Sequence, residues 1–321
     1  MRAMRLKTLG APLVLETVET PRPGPGEVTL DVAACGINFA DTLVVQGRYQ
    51  ERFDLPMTPG MELSGHVTAL GPGATAPAIG TRVAAFAGQG GLADCAVVPA
   101  AACAPVPDTL SDIEAAAFLV AYGTSHVALE TRAGLRPGET LLVLGASGGV
   151  GLTAVEIGKH LGARVIAVAR GREKLAVAEA AGADVLLDSD TVDLRAEVKA
   201  LGGADVVYDP VGGDLFEAAL RATNPGGRLI PIGFASGQVP AIPANILLVK
   251  NLTVIGLYWG AYLKLDPSVI TESFARLFTW HAEGRLSPHV SHVLPLEEAN
   301  AALDLLRNRA ATGKVVVEIR R

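Results

Sequence analysis

TLLVLGASGGVG, running from Thr140 to Gly151, is the stretch that decides the fold. Leu141 to Leu144 form a short continuous apolar run, which suits a parallel strand buried on both faces better than a half-exposed one. A glycine cluster ends the run. Beyond it Val150, Ala154, Ile157 and Leu161 recur at intervals of four, three and four, so a helix starting here lays one apolar stripe on a sheet and leaves Glu156 and Lys159 to face water. Strand, glycines and helix in that order are the setting of a dinucleotide fingerprint: small residues let the backbone approach a pyrophosphate, and the helix N-terminus supplies unpaired N–H groups. In a GxGxxG reading Ala146 stands in the first glycine position, and Gly148 and Gly151 fill the other two. A glycine-rich turn without a ligand is the alternative.

The chain around this stretch has 321 residues, 50% of them hydrophobic and 19% charged, enough for two well-buried domains and unlike a disordered segment. A net charge of -6 argues against a nucleic-acid binder that works by neutralising phosphates. Arg2, Arg5 and Lys7 are followed by no long apolar core before Glu16, so the N-terminus does not read as a signal peptide. Leu229 to Val249 lacks charge, yet Pro231, Pro240, Pro243, Gln238 and Asn245 make it a poor membrane span. Cys35, Cys95 and Cys103 show no CxxC spacing, which points to a reducing, cytoplasmic setting without disulfides. His66, His126, His160, His281, His289 and His292 have no ligand spacing of the HExxH kind.

Toward the N-terminus the signals are short and β-like as far as Pro107, with Val28, Leu30 and Val32 alternating against Thr29 and Asp31. Ser111-Asp112-Ile113-Glu114 is a capping box that opens a helical region ending near Gly134. From Thr140 to about Gly256 apolar strands at 165–169, 185–187, 206–208, 229–232 and 252–255 alternate with helical stretches, the rhythm of a parallel sheet. After Gly260 come two helical patterns, Ser268 to Glu283 and Leu296 to Asn308, and a closing strand from Lys314 to Ile319. This last material is too little for a third core and is expected to return to the β domain. The expected division is therefore residues 1–116 completed by 260–321, and residues 117–259.

Several segments together carry a resemblance: Cys35-Gly36-Ile37-Asn38-Phe39-Ala40-Asp41, Pro59-Gly60-Met61-Glu62, Tyr122-Gly123-Thr124, the glycine turn, and Thr312-Gly313-Lys314-Val315-Val316. The chain resembles the zinc-independent medium-chain dehydrogenases/reductases, and within them the NADPH-dependent quinone oxidoreductases of the zeta-crystallin type. The resemblance implies an α/β protein: a GroES-like β-barrel domain for substrate, a Rossmann doubly wound parallel sheet for NADPH, and a cleft where the nicotinamide lies. Zinc-dependent relatives carry a cysteine ligand where Asn38 stands and a histidine ligand where Met61 stands, and no cysteine follows Cys103, so no metal is expected. Without a Lewis acid, alcohol oxidation is disfavoured and reduction of an electron-poor quinone or enone is favoured.

The second strand ends in Ala169-Arg170-Gly171-Arg172-Glu173-Lys174, where an NAD-preferring site would place Asp or Glu on the ribose hydroxyls. Arg170, Arg172 and Lys174 could instead pair with a 2′-phosphate, Lys174 by analogy with the family; a solvated basic helix start is the bland alternative. Ser147, Gly148, Gly149 and Val150 are the expected phosphate turn. The resemblance assigns Asn38, Tyr49 and Thr124 to the reacting pocket, with Gly233, Phe234 and Ala235 in one loop and Gly256 and Tyr258 in another beside the ring. Asn38 or Tyr49 could donate a hydrogen bond to developing oxyanion charge. Leu43 replaces a second tyrosine of several quinone reductases, which implies a more apolar pocket. An enoyl-thioester reductase and a non-catalytic, crystallin-like NADPH binder remain alternatives. Asn251 to Gly260, uncharged and apolar, is expected to be the last strand of the sheet and, by the resemblance, the seam of a homodimer with Tyr258 and Trp259 near it.

Overall fold

The computed structural model describes residues 1–320 and divides the chain into two units, Met1–Val120 with Ser287–Arg321, and Ala121–Leu286. In the second unit six parallel strands lie in the order Val185–Asp188, Arg164–Ala169, Thr140–Leu144, Ala204–Asp209, Thr223–Pro231, Thr253–Val254. Numbered along the chain this is 3-2-1-4-5-6, the Rossmann order, whose direction reverses between the first and fourth strands. Leu141 to Leu144 are fully buried, as a strand covered on both faces requires. The helix after the turn runs Gly149–His160 and buries Ala154 and Ile157 as expected, but also Leu152, Thr153 and Val155, because other helical elements of the unit cover its flank. Glu156 does not simply face water: it accepts a 2.5 Å hydrogen bond from the Tyr122 hydroxyl.

In the first unit the long strand Glu27–Ile37 organises a seven-stranded sheet. One edge pairs with Glu62–Leu70 along most of its length; the other is shared, Glu27 to Asp31 with Cys95–Pro99 and Ala34 to Ile37 with Lys314–Glu318. The capping box forms at Ser111 and Glu114, starting the helix Asp112–Ala116. That helix rests directly on Gly36, where a Cβ would stand 2.0 Å from the Ala116 carbonyl oxygen.

Two expectations are corrected. The division after 259 moves to Leu286, because the helix Pro267–Ala282 buries Ile270, Ser273, Phe274 and Leu277 within the second unit, with Ser273 bonded to His126 at 2.9 Å. The last strand is two residues long rather than ten. Asn251 takes left-handed backbone at φ 52°, and beyond Ile255 the chain leaves the sheet so that Trp259 sinks beside Gly123 and Phe274, 5% exposed. A Cβ on Gly123 would sit 2.9 Å from that indole, so the glycine makes the socket. Trp259 thus packs inside its own unit.

Candidate functional site

Because the second unit's strands are parallel, the segments that follow them share one edge of the sheet. Ser147, Gly148, Gly149 and Val150 follow the first strand; Arg170, Arg172 and Lys174 the second; Gly233, Phe234 and Ala235 the fifth; Gly256 and Tyr258 the sixth. The glycine turn is tight because Gly145 adopts φ 59° and Ala146 donates its amide to Val168 at 2.9 Å. Ala146 is fully buried and not left-handed, so an alanine suffices at the first position of the fingerprint. Gly151 brings helix and turn together: a Cβ there would lie 2.2 Å from the Gly145 oxygen. At Gly148 the nearest atom to an added Cβ is 3.4 Å away, and this N-cap residue offers no side chain to the first turn. The amides of that turn therefore face an approachable space without a capping oxygen, the arrangement an anionic phosphate fits.

The loop from Ile232 to Gly237 is stitched to the fourth strand. Ile232 donates to Asp209 O at 2.7 Å, Ala235 to Pro210 O at 3.1 Å and Ser236 to Val211 O at 2.9 Å. Beneath it the buried Asp209 carboxylate accepts from Val211 at 2.7 Å and Gly212 at 2.9 Å. Burial raises that carboxyl above its usual range against the pull of these two amides. No role is expected of Asp209 from sequence; its signal there is an acidic residue directly after the apolar centre Val206-Val207-Tyr208 of the strand Ala204–Asp209. Arg170 pairs through Nε with Asp190 at 3.2 Å, and Asp188 accepts from Gly171 at 3.1 Å. The basic segment is therefore already shared with carboxylates from the end of the third strand.

In the first unit Asn38 caps the helix Phe39–Val45 and is nearly buried. Its Nδ2 donates to Glu62 Oε2 at 3.0 Å and to Gly36 O at 3.4 Å, and its Oδ1 accepts from Lys314 Nζ at 2.6 Å. Lys314 also donates to Glu62 Oε2 at 2.9 Å, and Glu62 Oε1 accepts from the Val120 amide at 2.8 Å. Asp41 receives the Asn38 amide at 2.8 Å and the Met61 amide at 3.1 Å. Burial raises the Asp41 carboxyl to about 6, with those amides and Lys314 pulling it down and Glu62 pushing it up. Both amide hydrogens of Asn38 are engaged, one by Glu62 Oε2 and one, over a longer distance, by Gly36 O. Tyr49 lies partly buried beyond the same helix, packed against the core of this unit. Thr124 lies in the second unit, on the helix Leu119–His126, and is buried. Asp41, Glu62 and Lys314 lie within the segments that carry the resemblance, and their signal in the sequence is charge set beside apolar strand residues. Among the described residues no three His, Cys, Asp or Glu side chains converge as metal ligands.

Residues 24–108 match the alcohol dehydrogenase GroES-like domain and residues 149–279 the zinc-binding dehydrogenase domain. Quinone oxidoreductase-like protein 2 of Bos taurus is 42% identical over 99% of this chain and 93% of its own length. The quinone oxidoreductase of Thermus thermophilus, solved alone and with NADPH, is 39% identical with a TM-score of 0.88, covering 99% of this chain and 100% of that one. The Escherichia coli quinone oxidoreductase complexed with NADPH is 28% identical with a TM-score of 0.94, over 99% and 100% of the two chains. With a Rossmann sheet, a GroES-like unit and this level of identity along its whole length, the chain belongs to the quinone oxidoreductase family of the medium-chain dehydrogenases/reductases.

Proposed function

We propose that the protein is an NADPH-dependent reductase of quinones or other electron-poor carbonyl and enone acceptors, working without zinc. The observation that carries this reading is the uncapped first turn of Gly149–His160 behind Gly148, an anion site built from backbone. Bound there, NADPH supplies the hydride. Ser147, Gly148, Gly149 and Val150 hold its pyrophosphate; Arg170, Arg172 and Lys174 favour its 2′-phosphate; Gly233, Phe234, Ala235, Gly256 and Tyr258 border its nicotinamide end. Asn38, Tyr49 and Thr124 serve the acceptor, positioning it and excluding water. Zinc independence is supported by the residues: Asn38 and Met61 are poor zinc ligands, and Glu62 already neutralises Lys314.

No helix of the described residues is long and apolar enough to cross a membrane. We place the protein in the cytoplasm, where Cys35, Cys95 and Cys103, all unpaired, stay reduced. A homodimer is supported by apolar side chains exposed on the segments that flank the last strand in the chain: Val239, Leu248 and Val249 before it and Leu265 after it are 72%, 76%, 71% and 76% exposed. Sedimentation of the parent as a monomer at micromolar concentration would remove the dimer.

The test of function is NADPH oxidation by the purified protein with ortho-quinones, para-quinones, enals and enoyl thioesters, in a strong chelator. Turnover with quinones or enals is expected, with NADPH preferred over NADH. NADPH binding without turnover would favour the non-catalytic alternative, and one bound zinc per chain would end the metal-free one.

A further inference from the structure

An ammonium is tolerated away from water only when paired and hydrogen-bonded. Lys314, at the start of the strand Lys314–Glu318, has a side chain only 7% exposed, against 0% for its partner Glu62. Between them they hold both ends of one amide. The Asn38 oxygen meets an ammonium, which can only donate, and the Asn38 nitrogen meets a carboxylate, which can only accept. Turning the amide over would set donor against donor and acceptor against acceptor, so the ion pair dictates its orientation. The two N–H bonds differ: the one to Glu62 is 3.0 Å and charge-assisted, whereas the one to Gly36 O is 3.4 Å and weak. Donation by Lys314 to the oxygen of the same amide also polarises its N–H bonds.

We propose that Lys314 is a positioning residue that acts through Asn38: it fixes the amide with its N–H edge outward from the ammonium, so that the hydrogen weakly held by Gly36 O is the one an acceptor oxygen takes over as it gains charge. Lys314 also cancels the Glu62 charge, which would otherwise oppose negative charge on that oxygen. The inference rests on the acceptor reduction proposed above for the reaction it serves, though not for the geometry.

The experiment is a double-mutant cycle between Lys314→Met and Asn38→Ala, read as NADPH oxidation by p-benzoquinone. Lys314→Met should lower kcat on the order of tenfold to a hundredfold, with the KM for NADPH unchanged because the glycine turn is untouched. In the Asn38→Ala background the same substitution should cost nothing further. Equal losses in both backgrounds would show that Lys314 acts on the fold alone and overturn the proposal. If Lys314→Met does not fold, Lys314→Met/Glu62→Gln, which removes both buried charges together, takes its place in the cycle. An atomic-resolution crystal structure of the lysine variant gives a second arm that needs no activity. Asn38 turned away from residue 62 supports the proposal; Asn38 unmoved overturns it. A parent protein that binds NADPH and reduces nothing counts against the reduction reading, and the crystallographic arm then decides on Lys314.

Discussion

The polar knot of the first unit and the glycine turn of the second solve opposite problems. In the knot, Asn38, Asp41, Glu62 and Lys314 are buried and satisfy one another and the amides of Met61 and Val120. In the turn, polar backbone groups are left uncapped beside a residue whose missing side chain keeps the space open. Buried charge is stable where the chain brings its own complement, and unsaturated amides persist where water or an anion can supply one. The knot should therefore answer to mutation in stability as well as in the reaction Asn38 is proposed to serve, and the turn in ligand affinity wherever a substitution leaves its backbone contacts intact.

The largest effect is expected from breaking the knot at one side. Lys314→Met leaves the Glu62 carboxylate buried without its cation and should cost about 3–5 kcal/mol in denaturant unfolding. Lys314→Met/Glu62→Gln should recover most of that loss, and a double variant as unstable as the single one would show that the pair is not the source. Second is Asp41, whose carboxyl burial raises from 3.8 to about 6. A carboxyl that holds its proton more tightly when folded contributes stability fully below the unfolded value and loses it as pH rises through the folded one. The parent's Tm relative to Asp41→Asn should therefore climb as the buffer goes from neutral to about pH 4.5; a flat difference would place the titration elsewhere.

The turn offers a sharper contrast between two glycines three positions apart. Gly151→Ala drives a methyl into the Gly145 backbone, 2.2 Å from its oxygen and 2.8 Å from its carbonyl carbon, neither of which can swing aside. It should destabilise the second unit by roughly 1–3 kcal/mol. Gly148→Ala meets only an ordinary 3.4 Å contact at φ −82°. Its thermal unfolding should match the parent's while NADPH binding, followed by fluorescence titration, weakens about tenfold, or roughly 1.4 kcal/mol. Unchanged NADPH affinity in Gly148→Ala would move the phosphate site away from this turn.

What could be read in advance was what is local. The apolar run, the glycines and the helical stripe of 140–161 lie next to one another in the chain, so their periodicity fixes strand, turn and helix without knowledge of the rest. The strands between 165 and 254 were legible for the same reason, and the capping box at Ser111 because its two partners are three residues apart. The edge strand was misread because an apolar segment looks the same whether it joins a sheet or feeds a core. Only the socket at Gly123, 136 positions before Trp259, decided that the chain turns inward there.

Sequence alone thus determined the Rossmann frame and the glycine turn, since backbone conformation and short-range hydrophobic pattern specify both. The tertiary structure alone decided which charges meet. Lys314 stands 276 positions from Asn38 and 252 from Glu62, and nothing in the periodicity of either segment announces the other. Whether Asn38 is a free donor or a held one is set by electrostatics across that distance, which acts through space and leaves no trace in local pattern.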